Sequence, residues 1–279
     1  MVNAKKLVGK AFIWLVLLFL YLPILWMIVF SFSETPSFSN WAGFSFNNYI
    51  NLFTGDMSGE IFEALANTMI IAIYASVLST VLGTFAAIGL NSIKKKRIKN
   101  IYKNVNQIPM VNSEIVTAVS LMLLFGLLYN IFPLHGDVQL FNVIIAHTTF
   151  CTPYVVLNVL PRLQQTDNKL YEAALDLGCT PSQAIWKVVI PDILPGIIMG
   201  MLMAFTLSID DFVITQFTVN GFKTLSTLIY AKAQGKKSLP PEMRALSSII
   251  FIVIFGLLIF MNRPKNKAKA QGQPAGAKK

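Results

Sequence analysis

The sequence predicts an all-α membrane protein with six transmembrane helices and both termini in the cytoplasm. Two observations predict the class: hydrophobic residues make up 54% of the 279 residues, and charged residues only 13%. Water-soluble domains have about a quarter of their residues charged, which argues against a soluble globular enzyme. Gly and Pro occur 16 and 13 times, ordinary counts that argue against a disordered or collagen-like chain. The third observation is a series of long apolar runs.

Six runs with almost no Asp, Glu, Lys or Arg provide the spans, each of which needs about 20 mostly apolar residues. The predicted spans cover residues 11–33, 66–91, 113–134, 138–160, 192–210 and 245–262. The fifth and sixth are short, and Pro195, Gly196 and Gly200 predict an irregular entry to the fifth. The first run is too long for a signal-peptide core and lacks a small-residue cleavage site, so we expect it to be retained.

The distribution of charge predicts the orientation. With the amino terminus in the cytoplasm, 18 of the 23 Lys and Arg residues fall on the cytoplasmic side, and 8 of the 13 acidic residues fall outside. Cytoplasmic loops carry an excess of Lys and Arg, so both termini are predicted to be cytoplasmic. We interpret the cluster Lys94–Arg97 as a topology anchor at anionic lipid head groups. The net charge of +10 therefore indicates a lipid bilayer rather than a nucleic acid as the partner.

The domain organisation is predicted to be simple. Residues 1–264 are expected to form a single transmembrane domain, and 265–279 a basic, disordered tail rich in Lys, Ala, Gly and Gln. Cys151 and Cys179 are too few for a disulfide scaffold or a cysteine-rich metal site.

The cytoplasmic segment 162–191, between the fourth and fifth predicted spans, has the pattern of a folded loop. Asp167 can cap a helix over 169–177 whose Leu and Ala residues share one face. Gly178 follows at the point where a left-handed helix end needs a residue without a Cβ atom.

A second helix is predicted to begin directly afterwards. The Thr-Pro-Ser-Gln tetrapeptide at 180–183 fits a capping box with Pro at the first helical position, and this helix is expected to stop near Pro191. The residues by themselves predict a helix–turn–helix that projects into the cytoplasm, for which a structural lid on the bundle is the simplest role.

The same segment resembles the EAA loop of ABC-importer permeases. The pattern is Glu-Ala-Ala, three residues, Gly, nine residues, Ile, any residue and Leu-Pro. This chain matches it at Glu172, Ala173, Ala174, Gly178 and Pro191. Val188 and Ile190 replace the Ile and Leu of the pattern and keep its apolar character. The resemblance implies the type I ABC-importer permease fold, in which this loop docks on an ATPase subunit and transmits its closure; the matched residues are the implied coupling residues.

No catalytic residue, metal site or cofactor is predicted in this chain. It lacks the G-x-x-x-x-G-K-[ST] phosphate-binding loop, so ATP and Mg²⁺ are expected on the partner ATPase. His135 and His147 do not form an H-E-x-x-H motif. We interpret His147 as a satisfied core or pathway histidine, because no G-x-S-G nucleophile motif accompanies it.

Three acidic residues are candidates for a substrate pathway, since intramembrane carboxylates are costly and usually functional. Asp210 and Asp211 end the fifth span, and Glu114 opens the third. Adjacent carboxylates repel each other unless a cation lies nearby. We therefore predict a cation pathway at Asp210 and Glu114. For Asp211, capping a neighbouring helix or facing water is an equally good alternative.

Along nearly its full length the chain resembles the spermidine/putrescine permeases of the PotC type. Residues 41–45, 147–156 and 205–211 carry this resemblance. In that family the Asp pair and an acidic residue in a Ser-Pro-Asp-Ile-Val stretch are associated with polyamine passage. The stretch at 112–116 is Asn-Ser-Glu-Ile-Val here, with Ser for Pro and Glu for Asp. The resemblance implies polyamine import, with substrate-pathway roles for Asp210, Asp211 and Glu114.

The resemblance also implies an assembly in the bacterial inner membrane. Its other members are a homologous permease, expected to be a distinct PotB-like chain, two ATPase subunits and an extracytoplasmic polyamine-binding protein. We interpret the Lys residues of the outer segment 223–244 as a docking face for that binding protein. An ABC permease for iron, thiamine or sulfate, and a stand-alone secondary transporter, stay open as alternatives. The preference between spermidine and putrescine is also open.

Overall fold

The computed structural model describes residues 2–35, 40–41, 43–131, 139–219, 221–234 and 239–261. The regular structure in these ranges is entirely helical, which confirms the predicted all-α class. The helices are α1 (Val2–Phe30), α2 (Asn47–Thr54), α3 (Ser58–Ser92), α4 (Lys96–Val111), α5 (Glu114–Ile131), α6 (Gln139–Gln165), α7 (Asn168–Asp176), α8 (Pro181–Ala184), α9 (Ile190–Asp210), α10 (Val213–Thr218), α11 (Leu225–Ala233) and α12 (Pro241–Met261). A π-helical segment, Ile185–Val189, joins α8 to α9.

Five helical stretches are long and apolar enough to cross a membrane, and they coincide with the first five predicted spans. They are Val8–Phe30, Ser58–Ser92, Glu114–Ile131, Gln139–Gln165 and Pro181–Asp210. The sixth predicted span falls on α12, and the sixth crossing and the orientation of the termini stay predictions. Residues 132–134, 138 and 262 of the predicted spans, and the tail 265–279, lie outside the described residues.

Helix α3 is longer than its predicted span. Its 35 residues correspond to about 52 Å at 1.5 Å per residue. The hydrocarbon core of a bilayer is about 30 Å thick, so α3 extends beyond it by roughly 20 Å. The amino-terminal turns of α3, which include Glu60, provide much of this extra length.

The expectation that the second loop helix stops near Pro191 is wrong, because the helix continues from Pro181 to Asp210. Proline lacks an N–H group and its ring crowds the carbonyl four residues earlier, so it normally breaks a regular α-helix. Here the π-helical turn precedes it, and the N–H of Ile190 bonds to the carbonyl of Ile185, five residues back. Pro191 follows this turn as the second residue of α9. The irregular entry predicted at 195–200 lies instead at 185–189.

Helices α3, α6 and α9 pack closely around Val155 of α6. A Cβ atom on Gly83 of α3 would lie 2.7 Å from the Val155 Cβ atom, and one on Gly200 of α9 would lie 3.1 Å from its Cγ1 atom. Val155 itself is fully buried. Small residues at such crossings let the backbones approach, which is the usual way that helices associate in membranes.

Two compact units make up the chain: α1, α2 and α12 form one, and α3 to α11 form the other. In the first unit, buried Arg244 donates from Nη1 to the Phe30 carbonyl (3.4 Å) and from Nη2 to the Thr35 carbonyl (2.5 Å). Asn48 donates to the carbonyls of Ser31 and Ser33, at 2.8 and 2.9 Å. The single domain predicted over residues 1–264 stays a prediction.

Helix α4 was not predicted from the sequence. Its apolar residues recur every three or four positions, a pattern typical of an amphipathic helix. They are Ile98, Ile101, Tyr102, Val105 and Ile108. This periodicity was sufficient to predict the helix, although Lys and Asn residues interrupt it.

Candidate functional site

The first candidate site is the loop helix α7 and its two ends. The Asp167 carboxylate accepts a hydrogen bond from the Lys169 N–H at 3.0 Å, which confirms the predicted amino-terminal cap. At the other end Gly178 has φ +87°, as predicted for a left-handed terminus. The N–H of Gly178 bonds to the Leu175 carbonyl (2.9 Å), and that of Cys179 to the Ala174 carbonyl (3.0 Å). These two bonds form a Schellman motif, so the helix has a defined end.

The turn into α8 has the predicted capping box. Gln183 N–H donates to the Thr180 hydroxyl oxygen at 3.3 Å, and Thr180 N–H donates to the Gln183 side-chain oxygen at 3.1 Å. The base of the loop is closed by the Thr166 hydroxyl, which donates to the Asp192 carboxylate at 2.5 Å. This bond fixes the end of α6 against the start of α9, so the loop is a compact projection rather than a loose connection.

The surface of this loop is unusually apolar. Leu177 is 86% exposed, Trp186 58% and Leu170 47%. The Trp186 ring lies against Phe85 of α3, with 6.4 Å between the ring centroids. Exposed apolar side chains on a projection are typical of a site that contacts another protein. Of the predicted coupling residues, only Ala174 is buried, and Glu172, Ala173, Gly178 and Pro191 are exposed. The predicted coupling residues therefore lie on α7, at its carboxyl end and at the start of α9, and four of the five are exposed.

The second candidate site is a buried polar cluster at the other end of α9. His147 of α6 lies with its Nδ1 atom 2.8 Å from the Ser208 hydroxyl and its Nε2 atom 2.9 Å from the Thr215 hydroxyl. The same Nε2 atom is 3.4 Å from the Asp211 carboxylate. His147 is 1% exposed, so it is the satisfied core histidine that the sequence predicted.

Asp210 and Asp211, adjacent in sequence, have opposite environments. Asp210 is exposed, whereas Asp211 is 8% exposed. The Asp211 carboxylate caps α10: it accepts from the N–H groups of Ile214 (3.2 Å) and Thr215 (2.8 Å) and from the Thr215 hydroxyl (3.0 Å). The alternative in which Asp211 caps a neighbouring helix is thus realised in the structure.

The segment after α10 is anchored to this cluster and to α3. The Ser226 hydroxyl donates to the Asp211 carbonyl at 2.8 Å, and the Leu225 N–H donates to the Thr68 hydroxyl at 2.9 Å. Asp211 is therefore held through both its side chain and its backbone.

Glu114, the third predicted pathway residue, lies elsewhere. It is the first residue of α5 and is exposed. Within the described ranges, no hydrogen bond or ion pair joins Glu114 to either residue of the Asp pair. The structure therefore places two exposed carboxylates, Glu114 and Asp210, on separate helices, and it joins Asp211 to His147.

A cavity of about 560 Å³ lies where α5 and α10 end and α6 begins. Aromatic and aliphatic side chains, amides and two hydroxyl groups line it: Met122, Phe125, Gly126, Tyr129, Gln139, Asn142, Gln216, Phe217, Thr218 and Val219. Asn142 donates to the Tyr129 hydroxyl at 2.8 Å. Walls of this kind suit a ligand with both apolar and hydrogen-bonding parts. The sequence did not predict the cavity, because its residues come from three separate stretches of the chain.

Two of the Lys residues interpreted as a docking face are paired within the chain. Glu60 lies 2.7 Å from the Lys223 ammonium group and 2.8 Å from that of Lys232. Lys236 and Lys237 lie outside the described residues. Across the part of the chain that the structure describes, no group of three or more His, Cys, Asp or Glu side chains could hold a metal ion.

Sequence reasoning missed Ser208 and Thr215 as members of the polar cluster. A local signal existed for the start of α10, because Asp is a preferred residue next to a helix amino terminus, but the usual capping spacing of two or three residues does not reach Thr215. No local signal links either residue to His147, which is 61 positions from Ser208 and 68 from Thr215.

Comparison with known proteins identifies the family. Residues 79–262 match the family described as "Binding-protein-dependent transport system inner membrane component", and the chain belongs to this family. The protein is accordingly a multi-pass transport component of the bacterial inner membrane rather than a catalytic subunit.

Two relatives and two solved structures extend the comparison. The chain is 35% identical over 233 residues to the putrescine transport system permease protein PotI of Escherichia coli strain K12, covering 83% of this chain and 81% of that protein. It is 33% identical over 252 residues to the spermidine/putrescine transport system permease protein PotC of Haemophilus influenzae, covering 90% and 93%. The fold resembles a bacterial ABC transporter involved in the import of the acidic polysaccharide alginate, with a TM-score of 0.69, 16% identity and 93% coverage of both chains. A structure of the bacterial alginate ABC transporter in complex with a pentasaccharide-bound periplasmic protein gives a TM-score of 0.69 at 18% identity, covering 93% of this chain and 92% of the other. These likenesses confirm the predicted ABC-importer permease fold.

Proposed function

We propose that this chain is a permease subunit of an ATP-driven importer that moves polyamines, spermidine or putrescine, into the cell. The observation that carries the proposal is the 35% and 33% identity to polyamine permeases over 83% and 90% of the chain. The chemistry of the exposed acidic residues supports it. A polyamine is a chain of ammonium groups separated by methylenes, which needs separate carboxylates for its charges and apolar or aromatic walls for its spacers.

Asp210 and Glu114 are proposed to line the substrate pathway. Both are exposed carboxylates at the ends of membrane-crossing helices, where a charge is costly and usually functional. An anionic solute such as sulfate would instead favour Lys, Arg or helix amino termini. Asp211, which the sequence also predicts in the pathway, has its carboxylate engaged by α10 and is given a different role below.

Segment 162–191 is proposed to couple this chain to a separate ATPase subunit. Its apolar side chains, led by Leu177 and Trp186, lie on the exposed surface of a folded projection. A groove on the ATPase that covers them would gain the free energy of apolar burial. Glu172, Ala173 and Ala174 lie on the docking helix, and Gly178 fixes its end.

The proposed assembly contains this chain, a homologous permease, two ATPase subunits and an extracytoplasmic binding protein. ATP hydrolysis takes place on the ATPase subunits, on the cytoplasmic side that the positive charges predict. ATP closure moves the docked loops, and the two permeases alternate between inward-open and outward-open states. Substrate passes between them, past Asp210 and Glu114.

Uptake of labelled spermidine by proteoliposomes containing the complete importer tests this proposal. Putrescine, sulfate and a neutral sugar serve as competitors, and the wild type is compared with Asp210→Asn and Gly178→Val. We expect competition by polyamines alone, a strongly reduced but measurable uptake in Asp210→Asn, and loss of uptake in Gly178→Val. Binding-protein-stimulated ATP hydrolysis should survive in Asp210→Asn and disappear in Gly178→Val.

Each other outcome removes a defined part of the proposal. Competition by sulfate or sugar would assign a different solute. Uptake without ATP would indicate a secondary transporter. Normal polyamine uptake by Asp210→Asn would remove Asp210 from the pathway and leave the coupling role intact.

A further inference from the structure

With Asp211 ionised and His147 neutral, the hydrogen bonds of the buried polar cluster have one consistent set of directions. An ionised Asp211 carboxylate only accepts, so the Thr215 hydroxyl hydrogen is directed to it, at an oxygen–oxygen distance of 3.0 Å. The Thr215 oxygen must then accept from the Nε2–H group of His147, 2.9 Å away. A neutral His147 therefore has an unprotonated Nδ1 atom, which accepts from the Ser208 hydroxyl at 2.8 Å. The order of donation is Ser208, His147, Thr215 and Asp211.

Protein atoms alone satisfy this chain of hydrogen bonds. Ser208, His147 and Thr215 are 3%, 1% and 1% exposed. Among the described residues, the gap that these side chains line with Thr68, Ile71 and their neighbours has no room for a water molecule. A hydroxyl removed here cannot be replaced by water, so its partner would lose a short hydrogen bond in a buried site, which is costly. For the Nε2–H group of His147, the Asp211 carboxylate at 3.4 Å would remain as a longer contact.

The chain of hydrogen bonds ends on the residue that follows Asp210. Helix α9 stops at Asp210, and Asp211 has an extended backbone, with φ −65° and ψ 127°. The Asp211 side chain is held by α10, and its carbonyl by Ser226. Because Asp211 is held through its side chain and its carbonyl, the carboxyl end of α9 is held in place. Asp210, the last residue of α9, is held with it.

We propose that Ser208, His147, Thr215 and Asp211 form a positioning relay that holds the exposed Asp210 carboxylate in its place on the substrate pathway. Asp211 and His147 are positioning residues that act through Asp210 and do not bind the substrate. The functional meaning of this placement rests on the polyamine importer proposed above. The placement itself can be measured without any substrate.

The matched pair Thr215→Ser and Thr215→Val tests the relay, because Val keeps the shape of Thr and removes the hydroxyl. Both variants are made in a purified importer that carries Asp210→Cys, which introduces the thiol to be labelled. Cys179→Ser removes the partly exposed native thiol, and the other native cysteine, Cys151, is buried. The rate of labelling of the introduced thiol by a cationic thiosulfonate reports the placement of position 210. We expect Thr215→Ser to label within about twofold of its parent and Thr215→Val to differ by about tenfold, since the buried Nε2–H group of His147 loses its short hydrogen bond. Equal rates in all three proteins would overturn the relay.

Uptake provides the second readout, with Asp210 intact or replaced by Asn. A relay that acts through Asp210 predicts that Thr215→Val lowers uptake about tenfold in the wild-type background and less than about twofold beside Asp210→Asn. If the fold-losses of uptake caused by Thr215→Val and by Asp210→Asn multiply in the double variant, Thr215 has a general structural role and the proposal is overturned. If Thr215→Val does not assemble, the pair Ser208→Ala and Ser208→Thr tests the first donor in the same two assays. Absence of polyamine uptake by the wild type refutes the proposed function, whereas the labelling ratio still decides the relay.

Discussion

The surroundings of the two ends of the long helix Pro181–Asp210 differ in which side chains are exposed to the surface and which are buried. At the coupling loop, apolar side chains are exposed, with Leu177 at 86% and Trp186 at 58%. At the other end, polar side chains are buried, with His147 at 1% and Asp211 at 8% exposure. The buried end satisfies its hydrogen bonds within the chain. The exposed end leaves apolar area that this chain does not cover, and in the proposed importer this area is half of an interface with the ATPase.

The largest effect is expected from a substitution in the buried polar cluster. Asp211→Ala removes the acceptor of two backbone N–H groups and one hydroxyl, which should destabilise the folded chain by about 3 kcal/mol. The adjacent Asp210→Ala is the matched control, because Asp210 is exposed and its loss should leave the thermal unfolding midpoint within error. The measurement is thermal unfolding of the purified protein in detergent. Equal midpoints for the two variants would contradict the structural role of Asp211.

The next effect concerns the geometry of the exposed end. Gly178→Ala places a Cβ atom on a residue with φ +87°, at a cost of about 1–2 kcal/mol in the loop. We expect weaker ATPase binding and slower uptake, with little change in the unfolding midpoint of the membrane helices. Gly89→Ala is the control, because Gly89 lies in α3 and a Cβ atom added there would have no neighbouring atom within 4 Å. A loss of ATPase binding in both variants would argue against a specific role for the left-handed turn.

A smaller effect tests whether the exposed apolar surface is an interface. Leu177→Ser should leave the isolated permease unchanged, since the side chain is 86% exposed. Burying a Leu side chain contributes about 1.5–3 kcal/mol, so the affinity for the ATPase should fall at least about tenfold. Leu177→Met conserves the apolar volume and should bind normally. Titration of the permease with the purified ATPase gives both affinities, and an unchanged affinity for Leu177→Ser would exclude Leu177 from the interface.

The smallest effect is expected at an exposed polar site. Lys223→Gln removes one of the two ammonium groups paired with Glu60, and Lys232 remains. Exposed ion pairs contribute less than about 1 kcal/mol, so stability should hardly change, in contrast to Asp211→Ala. The comparison is made by thermal unfolding at low and high salt. A shift as large as that of Asp211→Ala would mean that the exposed pair is as important as the buried cluster.

The exposed loop could be predicted from the sequence because its signals are local. Asp167 and Gly178 mark the ends of α7 within eleven residues, and both predictions are confirmed. The buried cluster could not be predicted, because His147 meets Ser208 and Thr215 only after α6, α9 and α10 have packed. The sequence identified His147 and the Asp pair as unusual, but only the folded structure distinguishes an exposed Asp210 from a buried Asp211.

The helix through Pro191 shows a different limit of sequence reasoning. Proline is a strong helix terminator in an α-helical register, and the prediction of a stop there followed that rule. A π-helical turn is rare, and its five-residue hydrogen bonds leave no simple pattern in the sequence. The correction therefore required backbone geometry rather than a better estimate of helix propensity.

That π-helical turn also sets the angular phase between the two ends of the helix that runs from the coupling loop to Asp210. Its hydrogen bonds span five residues instead of four, so Ile185–Val189 accommodates one residue more than an α-helical turn would. Each residue corresponds to about 100° of rotation about the helix axis. An insertion or deletion of one residue in this turn would turn the coupling surface by about that angle relative to Asp210, with every side chain unchanged. In the proposed importer, the direction in which movement of the ATPase reaches Asp210 therefore depends on the number of residues in this turn, separately from their identity.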